Sequence, residues 1–350
     1  MFYINFLERK KLESKTYKDA GVDLIAAANI KEKIKNLTEK TLGTNVFLGP
    51  GGFGGVIEPY PDSEILLVSS TDSVGTKQKI AEVMDNHSKI GADIVNHCIN
   101  DILPCGAKPL FFLDYIGISN FNSKTISEIV EGLSLSCKES NIALIGGETA
   151  TLPGIYHGKD YDLVGFIVGT VKRDLLITPK KVSDNDILIA LPSSGLHTNG
   201  YSFVRSIFEI DNNPSVLDDK VPGTNETLGE ALIKPHKSYL DTFGENLNII
   251  NGLAHITGGS FNKNIPRVIP DELSVDLKLS TWTPPDLFRY IQESGKVTDQ
   301  EMYKVFNMGV GMIAVVSENN ASLLLERLED SWVIGNVNKN KNNKKVNYLD

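Results

Sequence analysis

The chain has 350 residues, 41% apolar and 23% charged, enough for two domains with a full core each. Its 35 basic and 44 acidic residues leave a net charge of −9, which argues against a general nucleic-acid binder. No apolar run approaches the roughly 20 residues that a membrane-spanning helix needs. Residues Met1 to Phe6 do not read as a secretory signal, because Glu8 and a cluster of basic residues follow at once. Cys98, Cys105 and Cys137 fit neither a disulfide framework nor a zinc site, so a reducing, cytoplasmic compartment is expected.

Taken in chain order, a polar helix is expected from about Ile25 to Leu42, between two loops. One is Tyr17-Lys18-Asp19-Ala20-Gly21-Val22-Asp23. The other runs from Gly49 to Gly55 and holds five glycines in seven residues, so it cannot be regular structure; its exposed N–H groups can cradle phosphate, or it is a flexible connector. Glu64 to Ser70 reads as a buried strand that breaks into Thr71-Asp72-Ser73-Val74-Gly75-Thr76-Lys77. Ile90, Ile94, Val95, Cys98, Ile99 and Ile102 mark a helix that ends near Asn100-Asp101. Pro109 to Gly117 reads as a strand, Lys124 to Ser140 as an amphipathic helix, Ile142 to Ala150 as a strand ending in glycines and Glu148, and Tyr161 to Val171 as the strand that closes a first domain.

The pattern restarts near Lys172, so domains 1–171 and 172–350 are expected. Asp186 to Leu191 is a short strand, followed by a Ser/Gly loop to Gly200 and a helix from Tyr201. Such a loop before a helix N-terminus suits an anion. His197 either donates to that anion or is a satisfied loop histidine. Asp211 to Thr227 reads as a surface loop, and Ala254 to Ser260 as a strand-to-glycine turn. Helices are expected at Pro285–Ser294, Thr298–Phe306 and Ala321–Leu328, and strands at Gly309–Val316, Trp332–Val337 and Val346–Leu349. The Asn/Lys stretch 338–345 reads as a hairpin tip or a solvated tail.

Asp72, Asp101 and Glu148 recur at strand and helix ends beside glycines, in the first half only. That setting suits Mg²⁺, which takes oxygen ligands and often only one or two carboxylates, completed by water and substrate phosphate. A capping role for Asp72 and a solvated surface role for Asp101 are the plain alternatives. Neither a zinc ligand set nor a Gly-x-Ser-x-Gly elbow occurs.

Nine segments together carry a resemblance. They are Lys18 to Asp23, Gly51-Gly52-Phe53-Gly54, Asp72 to Lys77, Asn100-Asp101, Phe111 to Tyr115, Gly146 to Ala150, Ser193 to Ser202, His255 to Gly259 and Phe306 to Met312. In this order the chain closely resembles the phosphoribosylformylglycinamidine cyclo-ligase (aminoimidazole ribonucleotide synthetase) family, from about Tyr17 to Val337. The resemblance implies a two-domain α/β fold shared with selenophosphate synthetase and thiamin-monophosphate kinase, and a homodimer whose N-terminal sheets pair into a barrel. It implies ATP-dependent closure of formylglycinamidine ribonucleotide to aminoimidazole ribonucleotide through an iminophosphate, with Mg²⁺ and a candidate requirement for K⁺. Transient contact with other purine-pathway enzymes is a further expectation, and nucleic acid and membrane are not expected partners.

The resemblance also implies roles. Asp72, Asp101 and Glu148 would hold Mg²⁺. Lys18 and Asp19 would close over the nucleotide, with Gly51, Gly52, Phe53, Gly54, Thr76 and Lys77 around its phosphates. Ser194, Gly195, His197, Asn199, Gly258 and Gly259 would hold the substrate's ribose phosphate. Lys18, Asp72, Lys77 and His197 are the expected catalytic set. Ser73 stands where the family usually has glycine; serine is strained there if the position needs a positive φ, and otherwise its hydroxyl could add a ligand. The alternatives are a related ATP-dependent kinase or synthetase on the same fold, or a non-catalytic nucleotide-binding protein.

Overall fold

The structure is a computed structural model that describes residues 15–341 and 343–350. The reading of Met1 to Phe6 as no secretory signal lies outside them. Among the described residues, no helix is long and apolar enough to cross a membrane.

Two six-stranded sheets form the molecule. The first contains β1 (Val46–Leu48), β2 (Gly55–Ile57), β3 (Ile65–Ser73), β4 (Lys108–Ile118), β5 (Ala143–Thr151) and β6 (Tyr161–Lys172), in the order β1-β2-β3-β6-β4-β5. The glycine loop is the turn of the β1–β2 hairpin. The helices of this half are α1 (Leu24–Thr38), α2 (Gln78–Met84), α3 (Ser88–Ile102) and α4 (Ser123–Glu139). Strand β6 alternates strictly: Tyr161, Leu163, Ile167 and Val171 are buried, as period-two patterning against a helix layer requires. A methyl on Gly165 would meet Ile94 and Cys98 of α3, which identifies the layer behind that face. The residues between them point to the open face, where Phe166 is 38% exposed and Ile145 of edge strand β5 is 59% exposed.

The second sheet contains β7 (Ile187–Pro192), β8 (Gly252–His255), β9 (Leu273–Lys278), β10 (Val310–Val316), β11 (Trp332–Lys339) and β12 (Val346–Leu349), in the order β12-β9-β11-β7-β10-β8. All seven residues of β10 are buried, as a central strand covered on both faces should be. β11 and β12 are not hairpin partners: β9 lies between them, antiparallel to β11 and parallel to β12. Asn338 and Lys339 therefore end β11, paired with Ser274 and Leu273, and do not form a hairpin tip. The short strands β1, β2 and β9 have no counterpart in the sequence reading, because runs of three to six residues carry little periodicity.

Helix α3 joins the halves. The stretch Lys234 to Tyr239, which follows a short helix Leu228–Ile233, lies along it. Asp93, Asn96 and Asn100 fall on one face of α3 at helical spacing. Asp93 accepts from the His236 N–H at 2.6 Å, Asn96 donates to the His236 carbonyl at 2.8 Å, and Asn100 bonds both Lys237 and Tyr239. A helix thus satisfies an extended backbone that no strand pairs. The N-terminal segment also leans on the second half: Tyr17 packs on Phe203, and its N–H donates to Glu301.

Candidate functional site

Asp72 lies within the end of β3, and Asp101 in the last turn of α3. Both carboxylates reach the same imidazole. His97 Nε2 is 3.0 Å from Asp72 Oδ2 and 3.7 Å from Asp101 Oδ2. On β3, Asp72 is register-paired with Gly165, whose face is the α3 face, so its side chain is aimed at α3. On α3, His97 and Asp101 are one turn apart and therefore adjacent. Ser73 has no positive φ and its N–H donates to Asp72 Oδ1 at 2.7 Å, so serine is unstrained there.

Four of the chain's six histidines gather here. His97 Nδ1 is 2.7 Å from Thr198 Oγ1, and the same hydroxyl is 3.4 Å from His236 Nδ1. His236 Nε2 is 3.0 Å from His255 Nε2, and His255 Nδ1 is 2.8 Å from Asp101 Oδ1. The contacts close a ring from Asp101 back to Asp101. One proton assignment satisfies every link: His97 donates to Asp72 and to Thr198, Thr198 to His236, His236 to His255, and His255 to Asp101. The arrangement is a continuous path able to pass a proton between the two acids.

The electrostatics follow from burial and pairing. Burial acts to push the His97 imidazolium down, but Asp72 and Asp101 outweigh it and hold its pKa at about 9. Burial would raise Asp72, yet the His97 charge and hydrogen bond bring it below the usual carboxylate range. His236 and His197 are driven well below the histidine range, first by burial and then by neighbouring cations. These two rings stay neutral.

Several expected groups are placed elsewhere. Lys77 is fully buried; its ammonium is 2.8 Å from Asp93 and donates to the Lys234 carbonyl, so burial closes it off from a phosphate. Burial lowers Lys77 and raises Asp93, while their contact opposes both shifts. His197, at φ 60°, stacks on His236 at 3.9 Å between ring centres, and its Nε2 accepts from the Ser194 N–H. It is buried, so it offers no cationic edge to an anion. Glu148 is register-paired with Tyr115, which faces Val164 of β6, whereas Asp72 faces Gly165. Glu148 is therefore on the opposite, open face of the sheet and three strands away, about 14 Å at roughly 4.8 Å per strand. Within one chain it cannot join Asp72 and Asp101.

The remaining expected groups lie on loops outside this ring of contacts. Thr76 Oγ1 is 2.9 Å from Ser202 Oγ, and Ser202 with Asp19 lines an open depression of about 530 Å³. Lys18 is exposed and pairs with Asp23, while Asp19 holds its own turn through Thr16. Ser194 spends its hydroxyl on the Pro235 carbonyl, and the Gly195 carbonyl accepts from Asn307. Asn199 abuts Gly258, where a Cβ would sit 2.9 Å from its Oδ1, and Gly259 has φ 88°. On the other flank the Phe53 ring is 6.5 Å from that of His255, and Arg267 lies 4.8 Å over Phe53. Gly51, Gly52 and Arg267 share a cavity of about 310 Å³.

Sequence reasoning missed His97, His236, Thr198 and Arg267. Asp93 to Asp101 is visible as a polar stripe on an otherwise apolar helix, which could have flagged His97. His236 and Arg267 carry no local signal, because their partners are remote in sequence. Asp72 and Asp101, with the Ser70 hydroxyl 3.3 Å from Asp101, offer hard oxygen atoms of the kind Mg²⁺ takes, whereas the tighter cluster of ligand atoms adds two imidazole nitrogens. Ligand atoms of His97, Asp101 and His255 lie within 4.8 Å of one another.

Residues 53–171 match the model of the AIR synthase related protein N-terminal domain, and residues 183–346 that of its C-terminal domain. The chain is 45% identical over 331 residues to the phosphoribosylformylglycinamidine cyclo-ligase of Caldicellulosiruptor bescii, covering 93% of this chain and 97% of that one. It is 44% identical to the cyclo-ligase of Thermoanaerobacter pseudethanolicus, covering 92% and 97%. Thiamine monophosphate kinase of Aquifex aeolicus shares the fold, with a TM-score of 0.59 at 15% identity over 94% of this chain and 98% of that one.

Proposed function

The chain belongs to the phosphoribosylformylglycinamidine cyclo-ligase family and catalyses the ATP-dependent closure of formylglycinamidine ribonucleotide to 5-aminoimidazole ribonucleotide in purine biosynthesis; from that premise, we propose that the reaction takes place at the Asp72–His97–Asp101 centre. The observation that carries this reading is the convergence of two carboxylates, from a strand and a helix, on one imidazole.

In the proposed sequence, the formyl amide oxygen attacks the γ-phosphorus of ATP, and ADP departs. The oxygen becomes part of an iminophosphate. A nitrogen of the amidine side then attacks the same carbon, phosphate leaves with that oxygen, and the five-membered ring closes with loss of protons. An amide oxygen is a poor leaving group and phosphate a good one, so the protein's work is positioning and charge balance. Asp72 and Asp101 would hold Mg²⁺, which when bound neutralises the phosphate charge. The His97–Thr198–His236–His255 path joins the two acids and is placed to relay a proton between them. Thr76, Lys18 and Asp19 flank the centre on the nucleotide side. Asn199, with Gly258 and Gly259, contacts the ribonucleotide. Ser194, Gly195, His197 and Lys77 shape the loop and the helix contact that position these groups.

The open face of the first sheet supports a homodimer. Its apolar residues, Phe166 and Ile145 among them, have no cover among the described residues, where β5 is an unpaired edge. Pairing of two such sheets would also set Glu148 in the interface region.

Asp72→Asn tests the centre. The enzyme, assayed with Mg²⁺ and K⁺ for both the imidazole product and ADP, is expected to lose about a thousandfold or more in kcat. A variant that keeps activity within tenfold would remove Asp72 from the centre.

A further inference from the structure

His97 stands where an ion touching both acids would have to sit. Its Nε2 is 3.0 Å from Asp72 Oδ2 and 3.7 Å from Asp101 Oδ2. The ring is buried, Thr198 holds its Nδ1 at 2.7 Å, and it packs edge-on against His236 and His255 with 5.1 Å between ring centres. It cannot swing aside without breaking that packing, so an ion bridging the two carboxylates takes Nε2 as a ligand. His255 is fully buried and reaches the same place from the end of β8: its Nδ1 is 2.8 Å from Asp101 Oδ1. A first-row dication with bonds of about 2.1 Å sets neighbouring donors roughly 3.0–3.4 Å apart. The donor pairs here stand at 2.8, 3.0 and 3.7 Å. The Asp72 side chain is 44% exposed and leaves an ion a way in.

The hydrogen bonds among the histidines allow both inner nitrogens to present lone pairs. In that arrangement His255 Nε2–H donates to His236 Nε2, and His236 Nδ1–H to Thr198. His97 Nδ1–H donates to the same hydroxyl, whose oxygen has two lone pairs for the two donors. The His255–His236–Thr198 arm then runs opposite to the direction that fits the ion-free chain, and one proton fewer is held, the ion having replaced it. Each ligating ring has its outer N–H fixed by a protein acceptor, as metal-binding histidines normally do. The other group of buried histidines, His197 with His236 and His255, does not make such a site. His197 and His236 stack 3.9 Å apart with planes 23° from parallel, so they cannot both aim a lone pair at one ion.

Imidazole nitrogen suits Zn²⁺ and its neighbours, whereas Mg²⁺ takes oxygen and keeps its water. We propose that His97, His255, Asp72 and Asp101 form a mixed nitrogen–oxygen site for a first-row transition dication such as Zn²⁺. Neither histidine belongs to the acid set that suits Mg²⁺, and an ion so held would displace Mg²⁺ from both carboxylates.

The test uses the full chain without an affinity tag, stripped with EDTA and dialysed. Calorimetric titration with each metal alone should show Zn²⁺ bound at least about tenfold more tightly than Mg²⁺. His97→Gln and His255→Gln should each weaken Zn²⁺ about tenfold or more, with Mg²⁺ changed less than threefold. A smaller preference for Zn²⁺ in the wild type, or wild-type Zn²⁺ affinity in either folded variant, would overturn the proposal. A measurement on the wild type alone covers the case of a variant that fails to fold. X-ray absorption at the zinc edge, with one equivalent of Zn²⁺ loaded, should show the outer-shell scattering of two imidazoles per zinc; any other number would overturn the site. Binding is read without turnover, so these outcomes are separate from whether the chain closes an imidazole ring.

Discussion

Lys77 illustrates how a residue can keep its motif and lose its expected job. In sequence it follows an acid and a glycine and looks free to meet a phosphate. In the fold it is buried against Asp93. Breaking a buried ion pair by removing one partner costs about 3–5 kcal/mol. Lys77→Met should therefore lower the stability measured by urea unfolding by about that amount; a large rise in the KM for ATP at unchanged stability would return Lys77 to the phosphates. His97 gives a pH signature. In the folded chain it holds its proton up to about 9, above the ordinary value of 6.5. Its contribution is therefore full below pH 6.5 and is lost as pH rises through about 9. Asp72 is displaced downward, so its share is present above the ordinary carboxylate range and is lost as pH falls through its depressed value. The melting temperature of EDTA-treated protein should decline from pH 6.5 to 9.5, by an amount equivalent to about 1–3 kcal/mol, and His97→Asn should flatten that decline. An unchanged slope in the variant would refute the assignment.

Helix α3 carries most of the architecture at the scale of elements. One face packs on the sheet, one holds the Lys234–Tyr239 stretch, and a third meets α4 at very close range. A methyl on Gly132 would overlap the Ser88 carbonyl, and one on Gly91 would overlap the backbone of Ile129 and Leu133. The two helices can touch only because both positions lack a side chain. Gly132→Ala should cost about 1–3 kcal/mol or more in thermal unfolding, because neither backbone can yield without moving the sheet contacts. A neutral effect would mean that α4 is free to shift outward. The sequence told much about these elements and little about their contacts. The apolar spacing of Ile90, Ile94, Ile99 and Ile102 identifies α3, and the alternation of β6 identifies a half-buried strand. The acids Asp72 and Asp101 were legible because their types and settings suit a cation. Their convergence on His97 was not, since it depends on strand register. Arg267 and His236 were silent because each meets its partners through packing between the halves.

Two sheets joined through one helix place the reactive centre where the halves meet, and the open face of the first sheet makes the molecule's assembly testable. Light scattering is expected to give twice the mass of one chain, and Phe166→Glu should yield the monomer; a wild-type monomer, or a dimer unmoved by that change, would leave the open face to another role. The measurement that bears most directly on the account is a parallel assay of imidazole product and ADP in wild type and Asp101→Asn, with both reactants saturating. One imidazole per ADP is expected in the wild type, and a loss of about a thousandfold in both products in a variant that retains the wild-type circular dichroism spectrum and a cooperative melt. ADP without imidazole in the wild type, or an Asp101→Asn variant within tenfold of it, would contradict the account.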